Sequence, residues 1–392
     1  LFQNCVAIGG NGGNGGTGNQ GAQGGRGGNW MMSESVEKNI RTWWDGWDWG
    51  QFNANGDLIL LGTVDTVVDD PRTYYDDYWR YSGYGGAVYI EYYSSPRFID
   101  CNFSDNRTFG GVSGVGADTD PIPDRNLDIE NFGGAVYIGS ASNPEFIGCV
   151  FKNNIADTNI SAALPDDVYI SYGGSLAIET DCAPLFLRCT IEESRSAIGG
   201  GIWSSRSLLT IIDCNIVNNE AYHGGGLYAA DSTGAITDTL VHRNRAFQSN
   251  VDPNLILLDA AFPFSGVKGW GGGLCSVNSI LDIRDSVFAD NRAMYSGGGV
   301  YFSGYDQDVT VEPLLHNCLI YGNAAGHDGG GLAVWRDEIS VSNCTIADNV
   351  VLNGLENAYG GGLFVGYDSN AVVTNSIIWG NSSSAQDRKS VV

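Results

Sequence analysis

The sequence predicts an all-β protein, a single-stranded right-handed parallel β-helix (solenoid) of about ten coils with loop insertions at one corner. Three observations predict it. A glycine doublet or triplet leading into an aliphatic residue recurs nine times, from Gly85, Gly86, Ala87 and Val88 to Gly360, Gly361, Gly362 and Leu363. A second signature follows each copy: Cys, Ser or Thr, an apolar residue two positions on, and usually Asn five positions on, as in Cys101, Phe103 and Asn106 or Cys344, Ile346 and Asn349. No segment keeps the 3.6-residue apolar period of an amphipathic helix. Two motifs repeating in step are the mark of stacked solenoid units.

The shortest glycine-to-glycine intervals are 25 residues (Gly199 to Gly224) and 26 (Gly173 to Gly199, Gly271 to Gly297). A unit that short has room for three short strands and three corners, with neighbouring coils about 4.8 Å apart. Right-handedness follows from the crossover rule for parallel strands. Three apolar columns should point inward. The first follows the glycines (Val88, Val136, Leu176, Ile202, Leu227, Leu274, Val300, Leu332, Leu363). The second lies three before the Cys position, from Phe98 to Val373, and the third two after it, from Phe103 to Ile378. The glycines suit a tight corner needing positive φ or close backbone approach. The Asn column suits the next corner, because Asn tolerates the left-handed region and its amide can bond to the copies above and below.

Six cysteines (Cys101, Cys149, Cys189, Cys214, Cys318, Cys344) share one inward column, with Cys5 a seventh and Thr239, Ser286 and Ser376 as replacements. A position accepting Cys, Ser and Thr selects for small size, so the column reads as buried, unreactive thiols instead of disulfides. The Asp/Asn column just before it (Asp100, Asp213, Asp238, Asp285, Asn317, Asn343, Asn375) is periodic, which points to a corner role. One step past each inward aliphatic, Tyr89, Tyr137, Ala177, Trp203, Tyr228, Cys275, Tyr301, Ala333 and Phe364 should point outward and form a largely aromatic stripe. That stripe is either ladder stacking, in places under an insertion, or a glycan track or fibre contact.

Three regions result: 1–84, a first coil plus a Gly-rich and a Trp/Tyr/Asp-rich insertion; 85–381, the repeats; and 382–392, a tail or the start of another coil. Insertions fall mostly between the Asn column and the next glycines, for example between Asn106 and Gly133 and between Asn244 and Gly271. Insertions sharing one corner project from one edge, where solenoids carry recognition. In the first insertion, Trp43, Trp44, Trp47 and Trp49, with Tyr74, Tyr75, Tyr78 and Trp79, read as a sugar platform or protein interface, or as a plug over the solenoid end. Asp69, Asp70, Asp76 and Asp77, or Asp118, Asp120 and Asp124, offer hard oxygen ligands for Ca²⁺, or a solvated acidic loop. Sequons at Asn102, Asn159 and Asn343 are candidate glycosylation positions, whereas Asn106 and Asn381 belong to the corner column.

The formal net charge of −25 argues against a nucleic-acid partner, since nothing would neutralise phosphates. No apolar run is long enough to span a membrane. Without an initiator Met or leader, the chain reads as an excerpt of a longer secreted protein or a protomer that stacks end to end.

Gly85, Gly86, Ala87 and Val88, the copy at Gly133–Val136, and the Phe-x-x-Asn runs at Phe103–Asn106, Phe151–Asn154 and Phe288–Asn291 resemble the repeat of polymorphic outer-membrane proteins and related bacterial β-helix surface proteins. The resemblance covers most of 85–381. It implies an exported passenger domain with an adhesive or surface-coat role. The expectation is therefore an extracellular structural or adhesive β-helix of a cell surface or fibre, with itself or surface glycans as partner. The alternative is a Ca²⁺-dependent polysaccharide lyase or a carbohydrate-binding β-helix. A lyase needs carboxylates for Ca²⁺ beside an Arg or Lys base, and a hydrolase needs paired carboxylates. No such constellation is nameable from the sequence. The histidine candidates are His316 with His327 and Asp328, and His223 with His242.

Overall fold

The computed structural model describes residues 83–109, 129–156, 169–247, 269–304, 312–352 and 358–383, with the backbone of short strands at 2–3, 6–8, 42–44, 48–52 and 58–63. Among these residues every regular element is a strand, and all but three strands pair in parallel. They form a parallel β-helix. One nine-stranded sheet runs from Val88–Ile90 to Leu363–Val365, and a second from Arg97–Ile99 to Asn370–Thr374. A ten-stranded third sheet contains Phe2–Gln3, Asn102–Ser104 and, at its far edge, Ile377–Trp379.

The predicted columns are the observed register. Val136 pairs with Val88 and Leu176, Leu227 with Ile202 and Leu274, and Phe151 with Phe103 and Ile191. Inward side chains merge into one continuous core running through the coils. Phenyl rings stack along it, Phe98 on Phe146 at 5.0 Å and Phe103 on Phe151 at 4.7 Å. In the last described coil Val373 and Ile378 are 37% and 47% exposed.

A coil contains more than three strands. After the Asn column a fourth line of short strands runs from Val6–Ile8 through Arg107–Phe109 and Ile155–Ala156, bridges at Arg195, and continues from Glu220–Ala221 to Ser382–Ser383. A fifth line precedes the glycines: strands Gly83–Tyr84, Ile129–Phe132 and Tyr169–Tyr172, then single bridges up to Tyr359. The first insertion carries an antiparallel meander, Thr42–Trp44, Asp48–Phe52 and Leu58–Thr63, which the repeat pattern did not predict.

The corners share one design, a left-handed residue followed by a buried hydrogen-bonding one. The periodic Asp/Asn column takes the left-handed role, as at Asp213 (φ 53°) and Asn343 (φ 55°). The residue after it, the Cys/Ser/Thr column, supplies an acceptor. Cys214 Sγ accepts the Cys189 N–H (3.3 Å), Thr239 Oγ1 accepts that of Cys214 (3.4 Å), and Ser286 Oγ accepts that of Thr239 (3.1 Å). The column therefore selects for a small acceptor as well as small size. A second such ladder, which sequence reading missed, runs through Cys182, Ser207, Ser232 and Ser279. All eight described cysteines are free thiols. Against the lowering bond with Cys149, the bond with the Cys214 thiol and burial together push Cys189 up to about 12.

The Asn column corrects one expectation. Asn itself is not left-handed; the residue before it is, as at Asn153 (φ 52°), Asn218 (φ 57°) and Asp290 (φ 53°). From Asn106 to Asn349 the Asn side chain is instead fully buried, and it forms an amide ladder that ends at the partly buried Asn381. Asn219 donates its N–H (2.9 Å) and Nδ2 (3.0 Å) to Asn244 Oδ1, and Nδ2 also reaches the Ile191 carbonyl (2.9 Å). The same three bonds recur at Asn244, Asn291, Asn323 and Asn349. Where Ser194 replaces Asn, Ser175 replaces the third glycine, and the two hydroxyls bond at 2.7 Å.

At the glycine corner the first glycine is left-handed, with φ from 56° at Gly85 to 69° at Gly199. The second faces a different limit: a Cβ on Gly134 would lie 2.1 Å from the Gly174 carbonyl oxygen. Only glycine permits both.

The acceptor role of the Cys column is testable. Cys214→Ser keeps an acceptor for the Cys189 N–H and should change stability by under about 1 kcal/mol. Cys214→Val keeps the bulk, strands that N–H, and should cost about 1–3 kcal/mol in urea unfolding. The reverse ranking would contradict the assignment.

Candidate functional site

Most residues singled out in the insertions lie outside the described part: Trp47, Tyr74, Tyr75, Tyr78, Trp79, Asp69, Asp70, Asp76, Asp77, Asp118, Asp120, Asp124 and Asn159. Trp43, Trp44 and Trp49 fall in the antiparallel meander, where the register sets Trp44 opposite Trp49 and Trp43 opposite Gly50. Asn102 is half-buried on the third sheet and its Oδ1 accepts the Ser104 hydroxyl. Asn343 is exposed at a left-handed corner. Among the described residues no group of three or more His, Cys, Asp or Glu is arranged to hold a metal ion.

The structure gathers its unusual chemistry elsewhere, on the outside of the glycine corner. Because the first glycine is left-handed, the residue before it and the residue four after it turn toward each other outside the coil. Tyr84 meets Tyr89 edge-on at 6.2 Å, and Phe132 meets Tyr137 at 6.0 Å. Parallel register then repeats both residues up the rod. Tyr84 stacks on Phe132 at 5.2 Å and Phe132 on Tyr172 at 5.0 Å, while Trp203 lies 4.8 Å from Tyr172.

The stripe expected to be exposed is thus one wall of a second apolar cluster, separate from the inner core. Tyr137 (4%), Tyr228 (7%) and Tyr301 (4%) are buried there, while Tyr89 stays half exposed. Burial pushes the Tyr89 hydroxyl up to about 12, with Tyr92 and Glu91 adding to the rise. The other wall, the residue before the glycines, was not read from the sequence, although Tyr84, Phe132 and Tyr172 were visible there.

That second wall changes character part-way along. Its members are Tyr84, Phe132, Tyr172 and Ile198, then His223, Trp270, Ser296, Asp328 and Tyr359, joined in sequence by parallel bridges. The His223 ring stacks on Trp270 at 4.6 Å, and its Nδ1 is buried without a hydrogen-bond partner. Ser296 is fully buried and its Oγ also has no partner. An unsatisfied buried polar atom costs about 1–3 kcal/mol, so two in one column need a reason.

Asp328, with a side chain only 2% exposed, is by contrast well held. Its Oδ2 lies 2.6 Å from His327 Nδ1, and its Oδ1 accepts the Tyr359 N–H at 3.2 Å. The carboxylate fixes the proton of His327 on Nδ1, and the imidazole lies flat on Tyr295 at 4.5 Å. Nε2 is the ring nitrogen that does not face the carboxylate.

The other histidines are not part of this site. His316, on the second sheet, bonds through Nδ1 to Ser342 Oγ at 2.9 Å. His242, on the third, bonds to the Ala289 carbonyl at 3.1 Å. Comparison with protein-family models, with curated proteins and with solved structures yielded no match.

Burial holds His223 neutral and lowers its pKa from 6.5 to about 4. Between those two values the unfolded chain binds a proton that the folded chain refuses, so stability falls as pH drops through this window. The loss from this residue is at most about 3 kcal/mol. Thermal unfolding from pH 7 to pH 4.5 should show a steeper decline for the unsubstituted protein than for His223→Phe. Parallel declines would contradict the assignment.

Proposed function

We propose that the chain is an extracellular structural or adhesive β-helix, displayed at a cell surface or in a fibre, that engages surface glycans along its outer seam. The observation that carries this reading is the way side chains are used. The Asn, Cys and Ser columns are consumed by corner ladders repeated coil after coil. Such ladders make a stiff rod, while exposed aromatic rings sit at the two ends of the seam: Tyr89 (50%), Tyr92 (53%) and Tyr93 (85%) in the first glycine-bearing coil and Tyr359 (51%) and Tyr367 (70%) in the last.

Aromatic faces stack on the apolar faces of sugars, and two groups of them on one rod suit an extended partner better than a small molecule. The net charge of −25 keeps such a rod soluble and selects against polyanionic partners. The resemblance of the paired motifs to exported β-helix surface proteins points the same way. Among the described residues no helix is long and apolar enough to cross a membrane.

The test is retention of the purified chain on glycan-coated sensor surfaces, compared with a Tyr89→Ala, Tyr92→Ala, Tyr93→Ala triple variant. The reading predicts retention on at least one surface glycan and at least a tenfold loss in the variant. Absence of retention on every glycan, or depolymerisation of the coating by the chain, would contradict it.

A further inference from the structure

We propose that the polar interruption of the outer seam, formed by His223, Ser296, His327 and Asp328 and rimmed by Tyr295 and Tyr359, binds an uncharged saccharide. The site holds whether or not the rod serves in adhesion.

A repeat protein keeps a residue type at a column when the column is structural. The wall before the glycines obeys that rule at Tyr84, Phe132, Tyr172 and Ile198, then breaks it within five consecutive coils. The break introduces three polar residues where an aromatic or aliphatic side chain would complete the seam. Two carry buried polar atoms without a protein partner, His223 Nδ1 and Ser296 Oγ. Groups desolvated and left unpaired in this way are suited to a ligand that supplies the missing bonds. The third, Asp328, orients His327, whose side chain is 23% exposed and so open to solvent at the rim.

The chemistry of the cluster selects the ligand class. A carboxylate, two imidazoles and a hydroxyl can each exchange hydrogen bonds with hydroxyl groups. Tyr359, half exposed, and the partly exposed Tyr295, stacked on His327, supply flat apolar faces beside them. Hydroxyls on one edge and an apolar face on the other describe a pyranose ring, and the three coil spacings from His223 to Asp328, about 14 Å, call for a short oligosaccharide of such rings. Neither Lys nor Arg belongs to the cluster, and the chain carries −25 overall, so an anionic sugar is disfavoured.

The experiment titrates neutral oligosaccharides of glucose, galactose, mannose and N-acetylglucosamine, up to millimolar concentration, into the full chain. Binding is read by saturation-transfer NMR and by the fluorescence of the tryptophans, Trp270 among them. At least one sugar should bind, with Kd raised at least tenfold by His327→Ala and by Tyr359→Ala. Tyr359→Phe, which keeps the ring, and Trp379→Ala, on the third sheet, should bind within about twofold of the unsubstituted chain, a difference of under about 0.5 kcal/mol. Circular dichroism of each variant separates loss of ligand from loss of fold, and the exposed Tyr359 keeps the test valid if His327→Ala fails to fold. No binding of any neutral sugar, or binding that survives Tyr359→Ala, would overturn the proposal. Retention on surfaces lost only in the Tyr89, Tyr92, Tyr93 variant, with saccharide binding intact, would leave this site standing apart from the adhesive group at Tyr89.

Discussion

A primary amide buried at nearly every turn is the constraint on which the rest of this structure depends. An amide with its donors and acceptor unpaired in a dry core is costly, so each Asn must find partners that the coils on either side offer. Asn244 shows how completely this is met: its Oδ1 takes two bonds from Asn219, and its Nδ2 gives one to Asn291 Oδ1 and one to the Ile216 carbonyl. A one-residue slip of a coil would turn its Asn outward and bring a neighbour such as Asp290 or Arg292 to the buried corner. The hydrophobic columns could tolerate some mispairing among Val, Ile, Leu and Phe; the amide column could not. The apolar interior supplies driving force, and the ladders supply register.

Register in turn creates the outer seam. The left-handed first glycine turns two side chains toward each other outside the coil, and exact stacking converts that pair into two facing columns. Aromatic residues fill most of the angle, giving the rod a second apolar cluster where a solenoid would ordinarily present solvated side chains. The same geometry concentrates any departure from the repeat. His223, Ser296 and Asp328 are far apart in sequence and successive or near-successive in space, since Trp270 alone separates His223 from Ser296.

Much of the fold was legible because periodicity exposes it. Nine glycine clusters in phase with nine Cys/Ser/Thr signatures gave the inward columns and the strand register residue by residue. What was not legible has physical causes. The short fourth and fifth strand lines carry no alternating pattern over two residues, so three strands per coil were inferred. The Ser/Cys ladder at Cys182, Ser207 and Ser232 lies in turns whose composition is ordinary for turns. The left-handed role was given to Asn because Asn tolerates it, yet φ alone does not bury a side chain, and the amide's bonding fixed the actual assignment. The site was hidden for a further reason. Whether Tyr137 or Tyr301 faces water depends on the angle at glycine, which a column of letters does not record. His327 beside Asp328 was noticed, but Tyr295 and Ser296 become their neighbours only through stacking.

The central claim is that the asparagines bond coil to coil, and a double-mutant cycle tests it most directly. Asn219→Ala and Asn244→Ala, singly and together, should show coupling of at least about 1 kcal/mol in urea unfolding, because the residues share bonds. The control pair Asn219→Ala and Asn323→Ala lies three coils apart, about 14 Å, and should be additive within about 0.5 kcal/mol. Additivity of the adjacent pair, or equal coupling in both pairs, would contradict the account.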